Sequence, residues 1–165
     1  MSEATRQVIR HVEQDDLDAV VHVNRQSSEW VGDRDRGFFE RYLHLPCFYA
    51  LEEHGTVRAF VLAMHHDVDH QSDNFRWFRE RFASFCYVDR IVIDQDLRRQ
   101  GRGRRLYHHL IQHKGPVPLV CEVSMDPENT ESIHFHDALG FKQVGVFTSG
   151  GKTCRMYFLP DAEGS

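Results

Sequence analysis

No apolar run in the 165-residue sequence approaches the roughly 18–20 residues that a bilayer-spanning helix needs. The opening MSEATRQVIR lacks the apolar core of a signal peptide, so a cytoplasmic protein with no membrane partner is expected. The four cysteines, Cys47, Cys86, Cys121 and Cys154, form no C-x-x-C pair, which leaves neither a zinc ribbon nor a thioredoxin motif. Three of them sit in apolar, strand-like runs, and buried free thiols in a reducing compartment are expected. Positive charge is also scarce: 20 Lys and Arg stand against 25 Asp and Glu, for a formal net charge of −5. That balance argues against a general nucleic-acid or anionic-membrane binder. There is no G-x-x-x-x-G-K-[ST] phosphate loop, and the third glycine of a dinucleotide fingerprint is missing. Internal repeats, low-complexity tracts and an interdomain linker are absent as well.

What is present is an ordinary globular balance, 41% hydrophobic and 27% charged, in a length that suits one domain. Residues 1–160 are read as that domain and 161–165 as a frayed tail. Residues 6–12 alternate as a short strand, and Asp15-Asp16 opens a helix with Leu17, Val20, Val21 and Val23 on its apolar side. Phe38, Phe39, Tyr42 and Leu43 predict a second helix over 35–44, stopped by Pro46. Two β-rich runs flank Glu53-His54-Gly55 as a hairpin. Residues 65–84 read as an irregular polar stretch carrying Phe75, Trp77, Phe78 and Phe82. FCYVDRIVI (85–93) is the strongest strand. A helix from about Gly101 to His113, a strand over 118–125, a short helix over 130–139 ended by Gly140, and a closing hairpin around Ser149-Gly150-Gly151 complete the order β-α-α-β-β-β-α-β-α-β-β.

The segment between the strongest strand and the following helix carries the clearest chemistry. After Asp94-Gln95-Asp96-Leu97 comes Arg98-Arg99-Gln100-Gly101-Arg102-Gly103. Gly101 and Gly103 let the backbone turn sharply and approach a ligand. A helix start leaves amide N–H groups without partners, and together these features make an anion site suited to a diphosphate. Arg98, Arg99, Arg102, Arg104 and Arg105 add forked donors that match phosphate oxygens. The plain alternative is a glycine-rich turn beside a solvated basic helix face.

IVIDQDLRRQGRGRRLYHHL resembles the coenzyme-binding motif of the GNAT superfamily of N-acetyltransferases, R/Q-x-x-G-x-G/A after a hydrophobic strand, with Arg98, Gly101 and Gly103 at its defining positions. NTESIHFHDALGF is similar to the family's later motif, matched by Asn129, Ser132, Phe135, Gly140 and Phe141. The resemblance covers most of the chain. It implies a single α/β (α+β) domain, with a mixed, mostly antiparallel central sheet flanked by helices. A splayed strand pair would form an acyl-coenzyme A cleft. It implies acetyl-CoA as acyl donor, paired with backbone of Ile91, Val92 and Ile93. The diphosphate would be held by residues 99–104 (Arg99, Gln100, Gly101, Arg102, Gly103 and Arg104), and Asn129 would contact the coenzyme arm. Dimers are common among relatives, so a homodimer is open. Many members carry a tyrosine where this chain has His136, and that tyrosine protonates the departing thiolate. His136 is therefore expected as general acid, against a helix-surface or coenzyme-packing role.

Transfer to an amine needs a neutral nucleophile, hence a base or a water chain to one. Asp89 and Glu122 are acids in otherwise apolar strands, and the resemblance puts the base region around Tyr87 to Asp89. A structural hydrogen bond, or a pair with Arg90, is the alternative for each. No cysteine or serine sits in a nucleophile context, so the acceptor is expected to attack the thioester directly. Asn74, Trp77 and Phe78 are candidates for the acceptor pocket, against a short helix packing its aromatics into the core. His65, His66, Asp67, Asp69 and His70 lack a ligand spacing, and no metal is expected. Two other functions compete: a non-catalytic acyl-CoA sensor or interaction module on the same fold, and a nucleic-acid binder using the arginines. The overall acidity and the lack of interleaved aromatics disfavour the second.

Overall fold

The computed structural model describes residues 6–162. Its strands are β1 (Gln7–His11), β2 (Phe48–Glu53), β3 (Thr56–His65), β4 (Cys86–Ile93), β5 (Leu119–Asp126), β6 (Lys142–Ser149) and β7 (Lys152–Leu159). The helices are α1 (Leu17–Arg25), α2 (Ser28–Val31), α3 (Arg36–Glu40), α4 (Asp73–Arg79), α5 (Arg102–His113) and α6 (Thr130–Ala138). The strands form one seven-stranded sheet, order β1-β2-β3-β4-β5-β7-β6, mixed but mostly antiparallel and flanked by helices. Among the described residues no helix is long and apolar enough to cross a membrane. The chain divides into two compact units: one holds the residues up to Met64 together with Asp89–His113, the other His65–Val88 and the residues from Lys114 onward.

In the first unit β1 and β3 both pair antiparallel with β2, and the β2–β3 register slips between Leu51 and Glu52. α1 buries Leu17, Val20 and Val23, spaced i, i+3, i+6 on one face. Asp15 and Asp16 do not start this helix directly; they lie in a 3-10 turn over Gln14–Asp16, closed by a reciprocal Glu13–Asp16 capping box. α3 is shorter than its apolar spacing predicts. Asp35 caps it by accepting from the Phe38 amide at 2.9 Å. From Tyr42 the backbone bonds tighten to i→i−3, Tyr42 to Phe39 and Leu45 to Tyr42. The residue before a proline is pushed out of the α region, and Leu45 precedes Pro46. Phe39, Phe48, Phe60, Leu106 and Leu110 are fully buried. Each such side chain stabilises the fold by about 1.5–3 kcal/mol.

In the second unit β5 pairs antiparallel with β7, and β6 returns antiparallel along β7 through a turn at Gly150 and Gly151. The parallel register of β4 with β5 covers Cys86–Leu119 and Tyr87–Val120, whereas β4 runs on to Ile93 and β5 to Asp126. The stretch expected to be irregular contains α4, capped by Ser72, whose hydroxyl accepts from the Phe75 amide. Phe75, Trp77 and Phe78 are its buried residues. The charges between them hide the apolar positions, but Ser72 as cap followed by Phe75, Phe78 and Phe82 is a readable helical pattern. Asp161, assigned by sequence to the tail, is anchored by Lys114 Nζ at 2.9 Å. Residues 1–5 and 163–165 lie outside the described residues. All four cysteines are buried and none is in a disulfide.

Candidate active site

The loop after β4 is shaped by its backbone. Asp94 accepts from the Asp96 amide at 3.0 Å and from Arg58 Nε at 3.1 Å. Burial pushes the Asp94 carboxyl up, but the Asp96 amide and Arg58 outweigh it and hold the group below the usual carboxylate range. Arg99 (φ 64°) and Gly101 (φ 85°) both take left-handed conformations, which reverse the chain just before α5. The amides of Arg102, Gly103 and Arg104 stand in the first turn of α5, where no i−4 acceptor exists within the helix. The dipole of this 12-residue helix favours negative charge at that end.

The arginines divide into two groups. Arg98 donates from Nη2 to Ser27 Oγ at 2.7 Å, and the Gln95 amide donates to Gln26 Oε1 at 2.8 Å, so the loop is fastened to the segment after α1. Arg102 donates through Nε and Nη2 to the Glu53 carboxylate, in a pair whose side chains are 11% and 9% exposed. That hydrogen bond is the main reason the Glu53 carboxyl titrates below its usual range. Arg99, Gln100, Gly101, Arg104 and Arg105 are exposed. The loop therefore offers ligands its amides and outer arginines, while Arg98 and Arg102 hold its shape. Sequence reasoning missed Ser27 and Glu53, which lie 71 and 49 residues away from the arginines they hold and carry no local signature.

Along β4, Ile91 and Ile93 are half-buried and Val92 is buried. Asp89 is not a free carboxylate: Arg90 Nε donates to it at 2.8 Å, with side chains 4% and 8% exposed for Arg90 and Asp89. Arg90 also donates from Nη1 to Asn24 Oδ1 and to the Gly32 carbonyl, both at 3.0 Å, and its guanidinium lies 5.0 Å from the Phe38 ring centroid. The alternative expected for Asp89, a pair with Arg90, is the arrangement found.

In the second unit the sequence candidates Tyr87 and Glu122 meet. The buried Tyr87 hydroxyl donates to Glu122 Oε1 at 2.7 Å. The carboxylate is half-buried, and its other oxygen is not used by this bond. Burial, then the negative charge of Glu122, pushes the Cys154 thiol up to about 11. A thiol with that value is almost wholly protonated near neutrality and is a poor nucleophile.

Asn129 caps α6, its Oδ1 accepting from the Ser132 amide at 3.2 Å. His136 lies one turn further, only 3% exposed, with Nδ1 at 2.8 Å from the Ser132 carbonyl. A carbonyl accepts only, so Nδ1 carries the proton. Burial lowers the imidazole pKa to about 4. The ring stacks on Tyr157, centroids 5.9 Å apart at 16°. The register sets Glu122 opposite Met156 and Cys121 opposite Tyr157, so strand alternation puts His136 on the sheet face away from Glu122. An imidazole neutral at pH 7 and placed there does not fit the acid role expected for it.

Of the acceptor-pocket candidates, Asn74 is half-buried on α4. Phe78 is fully buried, with ring centroids 6.2 and 6.0 Å from Phe85 and Tyr87. Trp77 packs over Gly145, where an added Cβ would lie 2.6 Å from its ring, and the Arg81 guanidinium lies 3.9 Å from the ring centroid. These aromatics fill the core between α4 and the sheet, with Trp77 also bordering a groove toward Val146 and Phe147. His65 bonds to the Lys114 carbonyl and His66 to the Phe85 backbone. Among the described residues His65, His66, Asp67, Asp69 and His70 form no ligand cluster with one another.

This strand–loop–helix unit on a mixed sheet presents backbone amides and exposed arginines at a helix N-terminus, an arrangement suited to a phosphate-bearing ligand. Residues 9–141 match the acetyltransferase (GNAT) family, and the chain belongs to that family. Solved structures share the fold. The ribosomal-protein-S18-alanine N-acetyltransferase from Escherichia coli is 22% identical, with 94% of each chain covered and a TM-score of 0.68. An N-acetyltransferase from Staphylococcus aureus Mu50 is 21% identical over 94% of this chain and 99% of its own, with a TM-score of 0.71. Salmonella typhimurium yncA, solved with its cofactor acetyl-CoA, is 19% identical over 98% of this chain and 97% of its own, with a TM-score of 0.70. No curated protein sequence matches the chain.

Proposed function

We propose that this protein transfers an acetyl group from acetyl-CoA to an amine, by direct attack in a ternary complex. The observation that carries the reading is the loop from Arg98 to Arg104, reversed at Arg99 and Gly101 into the N-terminus of α5, in a member of the GNAT family. Its amides and exposed arginines suit the diphosphate. The strand segment Ile91–Ile93 lies beyond the residues of β4 that pair with β5, which suits hydrogen bonding to the pantetheine arm. Residues 1–160 form the catalytic domain in this reading, and a reducing, cytoplasmic setting suits four buried cysteines outside any disulfide.

Glu122 is the base. Its carboxylate takes the proton as the amine nitrogen bonds to the thioester carbon, and Tyr87, donating to Oε1, orients it. The carbonyl electrons move to oxygen, toward strand N–H groups, and return as the C–S bond breaks. The coenzyme thiolate, of ordinary pKa about 8.5, takes its proton from water. Asp89, paired with Arg90, supports the strand rather than the proton transfer.

The test is acetyl-CoA thiol release against a broad amine panel, run beside calorimetric binding of acetyl-CoA. Turnover with at least one amine and loss of binding in Gly101→Val are expected. Binding without turnover across the panel would replace this reading with an acyl-CoA sensor. A stable acyl-enzyme in the mass spectrum would overturn direct attack.

A further inference from the structure

α4 divides its side chains between two surroundings. Phe75, Trp77 and Phe78 are buried, whereas Arg76, Arg79 and Glu80 are exposed. With His70, Gln71 and Phe75 these three line a groove of about 270 Å³. Its charges do not cancel. Arg76 pairs with Asp73 at 3.3 Å, and Glu80 pairs with Arg81 at 3.7 Å. Arg79 makes no ion pair and no side-chain hydrogen bond among the described residues. Its guanidinium lies over the Phe75 ring, 5.8 Å from the centroid. A guanidinium held against a ring keeps its in-plane N–H donors for a ligand.

The groove adjoins the base through its own walls. The His70 and Phe75 rings lie 5.9 and 5.4 Å, between centroids, from Tyr87. The Tyr87 hydroxyl in turn donates to Glu122. Phe75 therefore touches Arg79 and Tyr87 at once, and a single aromatic ring separates this cation from the pair that handles the amine proton. His70 meets Phe75 edge-on, 5.4 Å between centroids at 89°, and so contacts both the groove and Tyr87. The groove is smaller than the roughly 300–1,000 Å³ of most ligand pockets, which suits an acceptor of few atoms.

Given the acetyl-transfer reading, on which this rests, we propose that the acceptor is a small amine bearing an anionic group, a carboxylate or a phosphate, that Arg79 grips while the amine sits at Glu122. Forked guanidinium donors match the oxygens of either anion. The chemical step is unchanged: the nitrogen bonds to the thioester carbon, Glu122 takes its proton, and the coenzyme leaves as thiolate. The acceptor lies across His70, so its wall is the Phe75–Arg79 side of α4 and not the core-facing Trp77 and Phe78.

β-Alanine, O-phosphoethanolamine, propylamine and putrescine are compared as acceptors, and their binding is followed by the Arg79 side-chain NMR signal. At least one of the two anionic amines should show a kcat/KM about tenfold or more above propylamine, with putrescine lowest. The better of the two identifies the anion. Arg79→Gln should lose the preference, Arg79→Lys should keep part of it, and Arg79→Glu should reverse it toward putrescine. The KM for acetyl-CoA should stay unchanged in all three, which separates an acceptor contact from a coenzyme contact. Arg41→Gln, the same loss of charge at another exposed position, should keep the wild-type preference. Turnover without preference, or a preference that survives Arg79→Gln, overturns the anionic acceptor and leaves acetyl transfer standing. Binding of the anionic amines at Arg79 with no turnover of any amine supports the anion site and overturns acetyl transfer. Neither binding nor turnover of the anionic amines overturns the proposal.

Discussion

Arg102 gives two of its guanidinium protons to Glu53, at the tip of the β2–β3 hairpin, and not to the space in front of the loop. An arginine of the candidate coenzyme loop is thereby a structural tie. The hairpin holds the first residue of α5, and the loop amides are aimed before any ligand arrives. The pair is mostly shielded from water, so removing one partner strands the other.

Glu53→Gln is therefore expected to cost roughly 1–3 kcal/mol of stability and to raise the KM for acetyl-CoA. The pH dependence has a definite sign. Arg102 holds the folded-state Glu53 carboxyl below its unfolded value of about 4.3. The stabilisation is therefore present above that pH and is lost as pH falls through the lower, folded value. Urea midpoints between pH 3 and 7 should fall more steeply for wild type than for Glu53→Gln. Parallel curves would show that the pair contributes nothing.

Glu122→Gln should lower kcat by about 10²–10⁴ while leaving the KM for acetyl-CoA near wild type. Tyr87→Phe should have a smaller effect. The double variant should be less impaired than the product of the two single effects, because both act through the one 2.7 Å hydrogen bond. Independent, multiplicative losses would separate the two residues.

His136, neutral until about pH 4, sets a second acid-side dependence. The unfolded imidazole takes a proton near 6.5, whereas the folded one does not until about 4. The unfolded state thus binds more protons between those values, and stability falls with pH across that window by roughly 3 kcal/mol. His136→Gln should flatten this part of the curve and leave the pH–rate profile in place between pH 6 and 9. A displaced profile would restore His136 as the acid.

Gly145→Ala tests the seat of Trp77. The new methyl would start 2.6 Å from the indole, so Trp77 or β6 has to move. A loss of about 1–3 kcal/mol, a Tm lower by several degrees and a shift in tryptophan emission are expected. Unchanged Tm and emission would mean that the indole is not held as tightly as its contacts indicate.

Most of the sheet was legible. The runs 85–93, 118–125 and the closing hairpin alternate or stay apolar long enough to be read locally, and β4, β5, β6 and β7 follow them closely. The loop was legible because its glycines and arginines are adjacent in sequence. α4 was not, since seven residues with three charges among the aromatics average to a polar stretch, and only burial sorts them into faces. The order of β7 between β5 and β6 has no local signal at all.

The sequence by itself determined the family and the glycine- and arginine-rich loop, because both rest on residue types at short, fixed spacings. The tertiary structure decided what each charged residue of the site is for. Arg98 and Arg102 became braces, Asp89 became half of an ion pair, and Tyr87 was joined to Glu122 across 35 residues. It also lowered the proton affinity of His136, since burial sets the proton affinity of an imidazole and burial is a property of the folded chain.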